Sequence, residues 1–126
     1  MSRLVLLFIL GVSLVSAQTP QLTPEVEKFI GSHFQEARSA EALQQFPKAI
    51  EEYELILKRY PKAVPEVYQN LGLVYYLLRQ YDDAIRVFER GIRLKPAMVG
   101  ARLFLGSSYL AKERPQEALP HPAIRL

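Results

Sequence analysis

The stretch from Pro65 to Pro96 constrains the fold more than any other part of the chain, because it carries two helical stripes back to back. Tyr68, Leu71, Val74, Tyr75 and Leu78 recur at spacings of three and four, which puts them on one face of a helix. Ala84, Val87, Phe88, Gly91 and Ile92 do the same for a second helix, with Gln80-Tyr81-Asp82 read as the turn between them. Gly72 and Ala84 are small where two helix axes must come close, and Pro96 ends the second helix. A hairpin of this kind cannot hide its whole apolar surface alone, so the decisive question is whether it recurs.

It does recur, on both sides. Towards the N-terminus, aligning Ala49 with Ala84 gives an offset of 35, and Tyr53 then falls on Phe88, Pro61 on Pro96, Phe46 on Tyr81 and Ala37 on Gly72. The first helix of this unit starts at Thr23-Pro24, with Thr23 as cap and Pro24 in the first turn. Its stripe is Val26, Phe29, Ile30, Phe34, Ala37, Ala40 and Leu43, and Gly31-Ser32 is a place where it would loosen. Phe46-Pro47 restarts a helix with the stripe Ala49, Ile50, Tyr53, Ile56 and Leu57, ending at Tyr60-Pro61. The unit is degenerate, with Glu36 in the place of Leu71 and Ala40 in the place of Tyr75, and one extra residue is expected in the turn Lys62-Ala63-Val64.

Towards the C-terminus an offset of 34 places Leu71 on Leu105, Gly72 on Gly106, Tyr75 on Tyr109 and Ala84 on Ala118. Arg102 occupies the slot of Tyr68, so that aromatic position reads as lost. Beyond Ala118-Leu119 the pattern stops at Pro120-His121-Pro122, and a proline inside a helix costs about 3 kcal/mol. The third unit therefore has its first helix and a stub of its second. Leu103, Phe104, Leu105, Tyr109 and Leu110 spread over more than one side of that helix, which predicts a weak end to the fold or one covered by another chain.

The spacing Tyr68-x2-Leu71-Gly72-x2-Tyr75, then Ala84-x3-Phe88, then Pro96 resembles the tetratricopeptide repeat, a 34-residue helix–turn–helix unit, with Tyr68 standing where that signature has Trp. The resemblance implies an all-α fold: a short right-handed solenoid of antiparallel helix pairs, about two and a half repeats long. The domain covers residues 24–119, in units 30–63, 65–98 and the incomplete 99–119, after a short linker at 18–23 and before an irregular tail at 120–126.

Residues 1–17 read as a secretory leader. Arg3 supplies the positive start, Leu4 to Val15 is an apolar run, and Val15-Ser16-Ala17 offers small residues for cleavage after Ala17. The run is too short, and too interrupted by Gly11 and Ser13, for the roughly 20 apolar residues of a membrane span. The expectation is a periplasmic or secreted protein of bacterial type, without a membrane span once the leader is removed. The absence of cysteine removes disulfides, thiolate zinc sites, a cysteine nucleophile and a lipid-bearing cysteine together. Formal net charge is +3 with the leader, and Arg3 is its one ionised side chain, a balance that argues against a nucleic-acid footprint.

No catalytic, cofactor or metal constellation emerges, and the chain reads as no enzyme. His33 and His121 are the two histidines, and neither has a second ligand at metal spacing. Glu51, Glu52 and Glu54 lie on the polar side of a helix, with Glu54 four residues before Lys58, an ordinary surface pairing. Asp82-Asp83 opens a helix, where acidic side chains offset the dipole. The glycines are scattered and form no phosphate loop. Tyr53, Tyr68, Tyr75, Tyr81 and Tyr109 all occupy repeat slots and are expected in the core.

What remains is a binding surface. In the family this chain resembles, the first helices of successive repeats line a groove that holds a peptide or partner helix. Carried over, the groove slots are Phe34, Arg38 and Glu41 from the first unit, and Glu66, Gln69, Asn70, Leu73 and Tyr76 from the second. Leu103, Ser107 and Leu110 come from the third, although Leu73 and Leu103 equally suit packing between repeats. The variant that clamps chaperone carboxylate tails is not matched, since Phe34, Arg38, Asn70, Gly100 and Phe104 stand at its positions and Asn70 alone agrees. The implied function is non-enzymatic binding of a protein or peptide partner outside the cytoplasm. The alternatives are self-association through the C-terminal face, and a fragment or accessory module of a larger envelope protein.

Overall fold

Thr23 opens the described structure as a helix cap: its hydroxyl oxygen accepts the Val26 N–H at 3.3 Å, and Pro24 fills the first turn, where no intrahelical N–H partner is needed. The computed structural model describes residues 22–113, which fold into five helices. These are α1 (Pro24–Ala42), α2 (Phe46–Arg59), α3 (Glu66–Leu77), α4 (Tyr81–Leu94) and α5 (Val99–Glu113). There is no strand among the described residues. α1 runs unbroken through Gly31-Ser32. The expected leader, the Ala118 stub and the proline-rich tail lie outside the described residues.

α1 packs on α2 and α3 on α4 as hairpins, while α2–α3 and α4–α5 contacts stack one unit on the next. The result is an all-α helical solenoid. Its core is continuous from unit to unit, running through Ala37, Tyr53 and Ile56 to Val67, Leu71, Val74 and Phe88, all buried. Met98, in the turn before α5, is buried as well.

The two hairpin turns are built alike. Each ends its first helix with a residue in the left-handed region, Gln44 at φ 56° and Arg79 at φ 61°. Gln45 N–H reaches back to the Ala40 carbonyl at 2.8 Å and Gln80 N–H to the Tyr75 carbonyl at 2.9 Å, closing the same C-terminal cap twice. The turn in the second unit is therefore Leu78-Arg79-Gln80, two residues earlier than Gln80-Tyr81-Asp82, because this cap ends α3 before Tyr81 can join the turn. The same cap carries Leu43 out of the stripe assigned to it: it is exposed at the end of α1.

Close approach within the second hairpin depends on Gly72. A Cβ built there would lie 2.5 Å from the Phe88 ring, and one built at Gly91 would lie 2.7 Å from the Tyr68 Cβ. Between units, two hydrogen bonds recur with the repeat. Tyr68 Oη donates to the Pro61 carbonyl at 2.8 Å, and Arg102 Nε donates to the Pro96 carbonyl at 2.6 Å. The slot that reads as lost at Arg102 has thus lost its ring and kept its donor, since a guanidinium reaches the same carbonyl. Likewise Tyr75 Oη donates to Glu54 Oε1 at 2.7 Å, and Tyr109 Oη donates to Glu89. Glu54 is engaged there, and no ion pair joins it to Lys58 among the described residues.

Tyr109 itself is not core. It is 45% exposed, whereas Tyr75, its counterpart, is 7% exposed under α4. Gly106 finds no described atom within 4 Å of its would-be Cβ, where Gly72 meets Phe88. The same letters have different burial because burial is conferred by the covering helix and not by the slot.

Two outcomes test this packing. Gly72→Ala overpacks the Phe88 contact and is expected to destabilise by about 1–3 kcal/mol. Gly106→Ala gains helix propensity without a clash among the described residues and should stabilise by up to about 1 kcal/mol; urea unfolding of both variants measures the contrast. Burial, with the Glu54 hydrogen bond next, pushes the Tyr75 phenol up to about 12 from an ordinary 10.0. A phenol holding its proton more tightly when folded stabilises fully below pH 10, and this contribution is lost as pH rises towards 12. Stability followed from pH 9 to 12 should fall with a slope that Tyr75→Phe reduces.

Candidate binding groove

The groove slots come from three first helices: Phe34, Arg38 and Glu41 from α1, Glu66 to Tyr76 from α3, and Leu103, Ser107 and Leu110 from α5. In the first unit they gather around one buried hydroxyl. Tyr53 rises from α2 with its ring edge-on to Phe34, centroids 5.8 Å apart, and its Oη donates to Glu41. Arg38 Nε stands 3.8 Å from the same Glu41 carboxylate. Burial raises the Tyr53 phenol strongly, with the Glu41 bond adding to it and Asn70 and Arg38 acting in the opposite direction. Arg38, Glu41 and Asn70 thus meet at Tyr53, a polar end to the surface that joins α1, α2 and α3.

In the centre, Tyr76 is half-buried between Tyr81, at 5.6 Å, and Phe104 of α5, at 5.3 Å, both edge-on. Burial raises its phenol too, followed by the neighbouring Tyr81. Tyr81, expected in the core, is half-buried as this ring's support. Leu73 is half-buried. Leu103 and Leu110 are 62% and 60% exposed. Ser107 Oγ donates to the Leu103 carbonyl one turn back at 3.1 Å, a bond internal to α5.

Two slots serve the scaffold. Gln69 lies against the start of α5: its Oε1 accepts the Ala101 N–H at 3.1 Å, and its amide packs on Gly100, where a Cβ would meet it at 3.1 Å. Gln69 is therefore a link between units rather than a free groove side chain, since α5 begins with N–H groups that need an acceptor. Glu66 pairs with Lys95 Nζ at 2.6 Å, and that bond holds its carboxyl below the usual range.

The sequence reading missed Leu77. It is 55% exposed, one turn beyond Leu73 on α3, and the spacing of four was the signal available. It also missed His33 Nδ1 to Glu52 Oε2 at 2.6 Å, which ties α1 to α2 with Phe29 stacked on the imidazole, centroids 4.4 Å apart. That pair is structural in its surroundings. Among the described residues no three His, Asp or Glu side chains group as metal ligands, and no helix is long and apolar enough to cross a membrane.

Two family models, both described as the tetratricopeptide repeat, match the chain over residues 65–97 and residues 32–63. A search of curated proteins gave no match. The matched stretches span the α3–α4 hairpin and most of the α1–α2 hairpin, and together they account for more than half of the chain. With both units folded as antiparallel helix pairs stacked through a shared core, this chain belongs to the tetratricopeptide-repeat family.

Proposed function

We propose that the chain is a non-enzymatic module that binds a protein or peptide partner on the surface formed by its first helices, outside the cytoplasm. Tetratricopeptide repeats suggest protein–protein interaction in general. The observation that carries the finer reading is a set of apolar side chains that the core does not use. Leu77, Leu103 and Leu110 are more than half exposed on α3 and α5, while Val67, Val74 and Ala101 on the same helices are fully buried. Exposed leucines on a stacked scaffold supply the apolar contact area a peptide or partner helix requires, and the Arg38–Glu41–Asn70 cluster offers polar contacts at one end. The extracytoplasmic placement rests on the leader pattern of residues 1–17.

A second reading, self-association, draws on a different face. Leu105, Gly106 and Tyr109 correspond to Leu71, Gly72 and Tyr75, which α4 covers, yet Gly106 and Tyr109 are exposed. Light scattering over a concentration series separates the two, because a monomer at every concentration removes self-association and leaves the groove reading standing.

Capture from an envelope extract with the mature chain, followed by calorimetry on the captured partner, tests the first reading. Leu73→Ala and Leu103→Ala are each expected to weaken binding by about tenfold, the loss of a moderate contact residue. Tyr76→Ala should do at least as much, checked against its own unfolding curve because Tyr76 also supports Phe104. Undiminished capture by all three variants overturns the groove.

A further inference from the structure

The second helices carry a different surface. α2 and α4 leave a cleft between them of about 450 Å³, floored by Leu57, Leu71 and Val87 and bordered by Lys58, Arg86 and Arg90. A smaller hollow of about 160 Å³ adjoins it, sharing Pro61, Tyr68 and Arg90 and adding Lys62 and Arg93. Across the two, five cationic side chains face one carboxylate, Glu54, in a chain whose total is 16 basic to 13 acidic residues. That carboxylate is already bound by the Tyr75 hydroxyl at 2.7 Å. Arg86 pairs with Asp83 at 3.0 Å, but no ion pair engages Lys58, Lys62, Arg90 or Arg93 among the described residues.

The repeat does not demand all of these cations. By the 35-residue offset Lys58 and Arg93 share one slot, but Arg86 and Arg90 correspond to Glu51 and Leu55 of the first unit, which forms the same helix pair with them. Nor is the border loosely arranged, since the Arg90 guanidinium lies 5.7 Å over the Tyr68 ring centroid and Tyr68 is itself fastened to the Pro61 carbonyl. A guanidinium held in place loses less freedom on binding a carboxylate.

We propose that this cleft is a second binding site, for an acidic peptide segment that places an apolar side chain on the Leu57–Leu71–Val87 floor and carboxylates against Arg90, Lys58 and their neighbours. A bare phosphate would leave the apolar floor wet, and a flat membrane surface cannot reach into a cleft. The site is independent of the first-helix groove, so either stands if the other fails.

The test uses the mature chain and a fluorescein-labelled peptide alternating glutamate and leucine, followed by anisotropy. Saturable binding that weakens with added salt is expected, because exposed charge pairs are screened. Arg90→Gln should weaken it about tenfold, in line with the loss of one charge-assisted hydrogen bond. Lys58→Gln should weaken it further, Arg90→Lys should restore part of the loss, and Leu73→Ala should leave it unchanged. Thermal unfolding of each variant checks that the scaffold is intact. Equal affinity of wild type and Arg90→Gln, displacement by inorganic phosphate at the peptide's own concentration, or binding of anionic vesicles in place of the peptide overturns the proposal.

Discussion

The contact between Gly72 and the Phe88 ring sets the spacing on which everything else in the second hairpin depends. With no Cβ at position 72, α3 and α4 approach until the aromatic ring lies on backbone, and the two stripes close over each other. Close-packed interiors transmit such a contact along the stack, because a helix displaced by even a methyl group shifts the face it offers to its neighbours. The Tyr68–Pro61 and Tyr75–Glu54 bonds, and the floor of the cleft between α2 and α4, are all referred to the position of α3.

Between units the solenoid uses polar tethers that recur with the repeat. A donor at the Tyr68 and Arg102 slot reaches the carbonyl of the proline that closes the preceding unit, and a tyrosine at the Tyr75 and Tyr109 slot reaches a glutamate on the preceding second helix. The carbonyl follows the end of a helix, where it lacks an intrahelical partner, so a hydrogen bond to it satisfies a group that would otherwise need water. Conservation of chemistry rather than of side chain is what Arg102 illustrates. No side-chain polar atom is buried without a partner among the described residues.

The two surfaces of the stack follow from the same geometry. First helices leave Leu77, Leu103 and Leu110 exposed, beyond the reach of the core, and second helices place Lys58, Arg86 and Arg90 around a cleft. Much of the candidate groove was legible because helical periodicity assigns faces. Its partition into free and engaged side chains was not. Gln69 and Glu66 look like Asn70 and Leu73 in periodicity, yet they bond to Ala101 and Lys95, more than 25 residues away, and no local pattern reports a partner at that distance.

What the amino-acid order determined by itself is everything that acts within a turn or two of helix. The stripes, the Thr23-Pro24 start, the small residues at Gly72 and Ala84 and the period near 34 all follow from local spacing and local sterics. Tertiary structure alone decided which of two identical slots is buried. Tyr75 lies under α4 and Tyr109 stands 45% exposed, although both are written the same way. Burial is a property of what packs on top, and in a stack of repeats that is always supplied by another part of the chain.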